Sequence, residues 1–223
     1  VVRSTPQGFE LTIATNTGQR KIQSRELVIS VPPFQLKDIE FKIDAKGKAS
    51  LRQITDMPFA QNTKLYLFFV FFFWNELGFS GAGWSDKGFL FFDSSQGQAS
   101  KAGTLLVYYG QGVNGARSKS WLLQNALAEL EVIFPGIRGG YRGHRMFQFS
   151  HSYSVQGQVG YPHKRFLNLA KDLPFHLIGE ALSVESPGYM NGAIETGFRV
   201  AEQILSQVSR TSINSCARAV ANL

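Results

Sequence analysis

Hydrophobic and polar positions alternate first near the amino terminus, where Phe9, Leu11 and Ile13 interleave with Glu10, Thr12 and Ala14. That period of two predicts a strand. A turn follows at Asn16-Thr17-Gly18, and Glu26 to Val31 reads as the returning strand of a two-strand meander over residues 8–31, stopped by Pro32-Pro33. LKDIEFKID comes next, then a polar segment from Ala45 to Asp56. Behind Lys64, ten consecutive apolar or aromatic residues run from Leu65 to Trp74. A helix that crosses a bilayer needs about 20, so the run is too short to span. Its aromatic content predicts a strand covered on both faces, near the middle of a sizeable domain.

Further strands are predicted at Phe89 to Asp93 and Thr104 to Gly110. The period then changes. Leu122, Leu123, Ala126, Leu127, Leu130 and Ile133 fall at helical spacing, which predicts an amphipathic helix over 118–134, ended by Pro135-Gly136. Residues 136–162 are rich in glycine, aromatic and basic residues and contain SHSYSVQGQVGYP. A second helix is predicted over 191–208, with Ile194, Gly197, Phe198, Ala201, Ile204, Leu205 and Val208 on one stripe and Glu195 four residues before Arg199. The polar last dozen residues read as frayed. The sequence contains neither repeats nor low-complexity tracts.

Composition narrows the class. With 223 residues, 43% of them hydrophobic and 17% charged, the chain can bury a core. Its net charge of +7 is spread without a basic block, which argues against a nucleic-acid partner. A single cysteine, Cys216, allows no internal disulfide, and four dispersed histidines do not have the spacing of a metal site. No metal and no transmembrane segment are expected, and the sequence reads as soluble and cytoplasmic. It opens at Val1, as if inside a strand, and reads as a piece of something longer.

The most informative stretch is LIGEALSVESPGYMNGAIETGFRVAEQIL, Leu177 to Leu205. An apolar strand end runs into Gly179-Glu180, then a loop with Pro187-Gly188, then Asn191-Gly192-Ala193 opening a helix. A helix start with small side chains lets a ligand approach backbone N–H groups, which together with the helix dipole suit an electron-rich or anionic atom. Glu180 at a strand end is suited to hydrogen-bond sugar-like hydroxyls. The same small-residue opening equally permits close helix packing with no ligand.

This segment resembles the carboxyl-terminal flavin fingerprint of the FAD-dependent amine oxidases, the monoamine, polyamine and L-amino-acid oxidase family: a Gly-Glu pair, a loop, Gly-Tyr-Met-X-Gly-Ala-Ile-Glu-X-Gly, and a continuing helix. LVISVPPFQLKDIEF, ITDMPFAQNTKLYLFFVFFFW and SYSVQGQVGYP resemble other family segments in the right order, so the resemblance covers about residues 9 to 208. It implies a role for each matching residue. Lys64 would hold a water near the hydride-accepting N5 of the flavin, while Tyr189 and Tyr153 would form two walls of an aromatic cage that aligns a neutral amine. Met190, Ala193 and Ile194 would lie at the pyrimidine edge of the ring system, and Gly188 and Gly192 would also be cofactor-binding. Gly179 and Glu180 would lie along the ribityl-pyrophosphate portion.

Two departures matter. Ser152 stands where monoamine oxidases carry a flavin-linking cysteine, so noncovalent FAD is expected. No GxGxxG lies near the amino terminus of these 223 residues, where the family carries its dinucleotide-binding fingerprint, so the amino-terminal dinucleotide-binding half of the family pattern is expected as a partner or as the rest of a longer polypeptide. The expected fold is mixed α/β: residues 1–33 and 150–210 in an FAD domain, 34–149 in a substrate domain, and 211–223 as a tail. The implied reaction oxidises a C–N bond of an amine or amino acid, with dioxygen as second substrate, and yields imine and hydrogen peroxide. A related flavin oxidase or desaturase of a non-amine, and a non-catalytic binding module on the same scaffold, are the alternatives.

Overall fold

A computed structural model describes residues 1–99, 101–110, 117–154 and 165–221, with the side chains of 153, 154 and 208–221 outside the description. The fold is mixed α/β. It divides into two compact units, one of Val1–Pro58 with Tyr153–Leu223 and one of Phe59–Ser152. Residues 34–58, expected with the substrate domain, therefore pack with the first unit.

The first unit begins with strands β1 (Val2–Thr5), β2 (Gly8–Thr15) and β3 (Gly18–Ser24), followed by β4 (Val28–Ile29) and β5 (Phe41–Lys42). The sheet order is β3-β2-β1-β5. The strand that returns against β2 is β3, with Leu11 opposite Ile22, and not the apolar run Glu26 to Val31. As the exposed edge of its sheet, β3 needs little apolar content, so its sequence, GQRKIQS, carries no strand pattern. Of the run 26–31 only β4 is strand. The polar segment after Asp44 is a helix, α1 (Ala45–Thr55), capped where the Asp44 carboxylate accepts from Gly47 N–H at 2.7 Å. Gly47, Ser50, Leu51 and Ile54 form its buried stripe, and two of these four are too small or too polar to register as hydrophobic.

The second unit is built on β6 (Phe59–Phe69), α2 (Phe73–Glu76), β7 (Gly83–Trp84), β8 (Phe89–Asp93), β9 (Gly103–Tyr109), α3 (Lys119–Ile133), α4 (Ile137–Gly140) and all but the last two residues of β10 (Tyr141–Ser154). Its sheet runs β10-β6-β9-β8-β7. One face is dry: Leu65, Leu67, Phe69, Phe89, Phe91, Leu105, Val107 and Tyr109 share a core with Leu122, Ala126, Leu127 and Leu130 of α3. Ser118 caps α3, accepting from Trp121 N–H at 3.2 Å. Burial pushes the Tyr109 phenol well above its ordinary value, and it stays a donor to the Leu122 carbonyl at 2.7 Å.

The aromatic run is not one strand with two dry faces. β6 stops at Phe69, and Phe73 and Trp74 turn back into the core as α2. Trp74 is fully buried and donates to the Asp93 carboxylate at 3.2 Å. Its ring fills the space that a side chain at Gly103 would need, 2.4 Å from where that Cβ would sit. On the other face of β6, Lys64, Tyr66 and Phe68 are half-buried, because within this unit α3 covers one side of the sheet.

The chain completes the first unit with α5 (Arg165–Ala170), β11 (His176–Leu177), a 3₁₀ turn at Glu180–Leu182 and α6 (Met190–Ala221). β11 pairs in parallel with β4. The helix expected over 191–208 extends to Ala221, and its buried side is not the apolar stripe. Gly192, Thr196 and Val200 are buried, whereas Ile194, Phe198 and Leu205 are exposed. Positions 194 and 196 lie about 200° apart around a helix, so α6 turns its hydrophobic stripe away from the turn on which it packs.

Candidate functional site

The loop and helix start at 179–196 are assembled by hydrogen bonds of this chain alone. Gly179 has φ +135°, a left-handed backbone that disfavours a side chain, and a Cβ there would meet nothing within 4 Å. Its N–H donates to Thr196 Oγ1 at 2.8 Å, and the Thr196 hydroxyl donates to the Ala193 carbonyl at 2.8 Å. Glu180 accepts from Gly188 N–H at 2.7 Å, which closes the loop on itself. Glu195 does more than pair with Arg199 at 3.2 Å. It also accepts from the Ser183 hydroxyl and from the N–H groups of Val184 and Glu185, both at 3.3 Å. Burial pushes the Glu195 carboxyl up, but Ser183, those two N–H groups and Arg199 together hold it below its ordinary value.

Gly192 has a use of its own. A Cβ there would lie 2.2 Å from the Ser186 carbonyl oxygen, so its missing side chain admits the loop of this same chain. Ala193 is half-buried beside it, and the left-handed Gly188 at φ +84° precedes the exposed residues. Tyr189, Met190 and Ile194 stand uncovered at the helix start, 73%, 86% and 57% exposed. These residues make an open apolar patch around the N-terminal end of α6.

Lys64 belongs to the other unit. It lies mid-strand on β6, with Nζ 5.5 Å from the Phe149 ring centroid, and makes no ion pair among the described residues. Asn62, two residues earlier on the same face, donates to the Tyr108 hydroxyl at 2.9 Å and to Ser152 Oγ. Its Oδ1 is buried and without a partner among the described residues. An unmet buried acceptor costs about 1–3 kcal/mol unless something satisfies it. Asn62, Tyr108, Thr196 and the wider role of Glu195 escape sequence reading. The period-two spacing of positions 62, 64, 66 and 68 is the signal that could have drawn attention to Asn62.

Lys64 and Tyr189 thus fall in different compact units. Tyr153 lies in β10, and its side chain is outside the described residues, as are residues 155–162 of SYSVQGQVGYP. The patch at 188–194 is where the resemblance puts the ring end of a flavin. It offers an aromatic and an aliphatic surface beside a long helix N-terminus, anchored from behind by Gly192 and Thr196.

The family model described as "Flavin containing amine oxidoreductase" matches residues 1–205, and the chain belongs to that family. No curated protein matches the chain by sequence. Among solved structures it is similar to cyclohexylamine oxidase from Brevibacterium oxydans IH-35A, with TM-score 0.70 and 20% identity over 93% of this chain and 48% of that one. It is also similar to a putrescine oxidase triple mutant, with TM-score 0.69 and 16% identity over 92% of this chain and 47% of that one. A third similar structure is wild-type putrescine oxidase bound to putrescine, with TM-score 0.66 and 16% identity. The chain spans about half the length of these proteins. No helix among the described residues is long and apolar enough to cross a membrane.

Proposed function

We propose that this chain forms part of an FAD-dependent amine oxidase that oxidises a C–N bond of an amine or amino acid. The observation that carries this reading is the family match over residues 1–205 together with the uncovered Tyr189-Met190-Ile194 patch at the start of α6. FAD, held noncovalently, supplies the two-electron acceptor, and dioxygen restores it with release of hydrogen peroxide. Met190, Ala193 and Ile194 bind the ring system, and the α6 N-terminus places positive dipole beside it. Gly179 and Glu180 lie along the ribityl-pyrophosphate portion. Tyr189, with Tyr153, aligns a neutral amine between aromatic faces. Lys64 donates hydrogen bonds to a water at the reacting end, where the imine is hydrolysed to aldehyde or keto acid and ammonia. Ser152, in place of a thiol, forms no bond to the flavin.

The test uses the FAD-loaded protein with the complementary dinucleotide-binding half supplied. Added amine is expected to bleach the flavin absorption anaerobically, and Lys64→Met is expected to slow flavin reduction or reoxidation at least about tenfold with FAD still bound. Unchanged rates of both half-reactions would remove Lys64 from the site. A flavin that no amine or amino acid reduces would remove the reading itself.

A further inference from the structure

Lys64 is placed by its neighbours rather than by a counter-charge. It makes no ion pair among the described residues, and a lysine side chain, a flexible four-carbon stem with three rotatable donors, has no fixed aim of its own. Two rings border it. On β9 Tyr108 stands directly opposite Lys64, a pairing that sets their Cβ atoms about 5 Å apart, and on β10 the Phe149 ring centroid lies 5.5 Å from Nζ. Tyr108 is itself held: its hydroxyl accepts from the Asn62 carboxamide at 2.9 Å. Asn62 lies two residues before Lys64 on the same face of β6, so this bond draws the phenol along the strand and keeps its ring on one side of the lysine stem.

The same amide nitrogen also donates to Ser152 Oγ on β10. One carboxamide thus ties together β9 and β10, the two strands that flank β6, immediately beside Lys64. Asn62 is fully buried on a face where Lys64, Tyr66 and Phe68 are only half-buried, and its Oδ1 meets no donor among the described residues. An aliphatic side chain of the same size would fill that slot without an orphaned acceptor, so space-filling does not account for an amide here. Its contribution lies in the two bonds that its nitrogen donates.

We propose that Asn62 is a positioning residue: by holding Tyr108 and Ser152 it sets the direction in which the Lys64 ammonium points, and with it the seat of the water that Lys64 holds. The inference rests on the reading that Lys64 lies at the reacting centre. Without the two bonds Tyr108 is free to change rotamer, and the lysine stem beside it gains rotamers in turn. An ammonium spread over several positions gives a reacting water no fixed place, which slows the step without loosening the flavin. Asn62 touches neither substrate nor cofactor in this scheme. It acts only through Lys64.

The experiment is a double-mutant cycle on the FAD-loaded protein with the complementary dinucleotide-binding half supplied. Both half-reactions are followed by stopped flow, using whichever of benzylamine, 1,4-diaminobutane and phenylalanine reduces the flavin fastest. Asn62→Leu and Tyr108→Phe are each expected to slow, by about fivefold, the half-reaction that Lys64→Met slows, with the bound-flavin spectrum unchanged. The two together are expected to be no slower than Asn62→Leu alone, within about twofold. In the Lys64→Met background both are expected to be silent, a result that general loosening of the sheet would not give. If Asn62→Leu does not fold, Tyr108→Phe, which removes one hydroxyl from a half-buried ring, makes the same test. Rates unmoved in the folded, flavin-loaded variants, or a slowing that persists undiminished in Lys64→Met, overturn the inference. Lys64→Met without effect overturns instead the placement of Lys64 on which it rests, and inertness toward these three compounds and toward other amines and amino acids overturns the amine oxidase reading.

Discussion

Glu195 sits in the second turn of α6, and its carboxylate gathers the Ser183 hydroxyl, two backbone N–H groups of the preceding loop and the Arg199 guanidinium. Because these donors hold its folded-state pKa below the ordinary value, they contribute stability above the unfolded pKa that is lost as pH falls through the folded one. Asp172 shifts the same way, held down by Lys46 at 2.7 Å and by the Ser50 hydroxyl at 2.7 Å. Both effects act on the acid side of the ordinary carboxylate range, below about pH 4. The melting temperature is therefore expected to be steady near neutrality and to fall as pH drops through that range. Glu195→Ala is expected to cost about 1–3 kcal/mol at pH 7 and to reduce the acid-side slope, because the loop N–H groups lose a charged acceptor. Thermal melts of both proteins across pH check this, and identical slopes would count against it.

Helices α1 and α3 show how far an element can be read before its partners are known. In α3 the Ser118 cap, the Leu122-Ala126-Leu127-Leu130 stripe and the Pro135-Gly136 stop all agree, and the predicted helix is the observed one within a residue at each end. In α1 the stripe is half glycine and serine, so Asp44 is the clearest local mark of the helix. Asp44→Ala is expected to cost about 1 kcal/mol, the usual worth of an N-cap. Leu130→Ala, which empties a fully buried position against the sheet, is expected to cost about 2–5 kcal/mol. Urea denaturation of the two variants measures both, and a cap variant as damaging as the core variant would show that α1 depends on Asp44 for more than its first turn.

At the scale of the whole molecule, the chain covers 48% of cyclohexylamine oxidase in the structural match and carries a segment that resembles the family's carboxyl-terminal flavin fingerprint, with no GxGxxG near its amino terminus. The proposed flavin contacts thus concern the ring system and the ribityl-pyrophosphate portion, and the family's amino-terminal dinucleotide-binding half would supply the rest. The 223-residue chain by itself is expected to retain little FAD through gel filtration, whereas supplying the complementary dinucleotide-binding half is expected to restore flavin absorption. Visible spectra of the two preparations check this. A lone chain that stays yellow would show that the loop at 179–194 is sufficient.

Local pattern determined a good deal. β8, β9, α3, the β11 strand end and the start of α6 are written in period and punctuation over a few residues each, and the order of the family's motifs is a property of the linear chain. Tertiary structure decided which partners these elements take. β4 pairs with β11, far away in sequence, and the polar β3 closes on β2 although Glu26 to Val31 looks more like a strand. The aromatic run breaks at Phe69 because Trp74 has a seat prepared by Gly81 and Gly103. α6 buries Gly192, Thr196 and Val200 because the Gly179 backbone and the Ser183–Ser186 loop meet small residues and a hydroxyl there, leaving its more apolar stripe exposed. Periodicity defines the faces of an element, but the covered face is chosen by the shape and hydrogen-bonding of remote neighbours, which no short window of sequence contains.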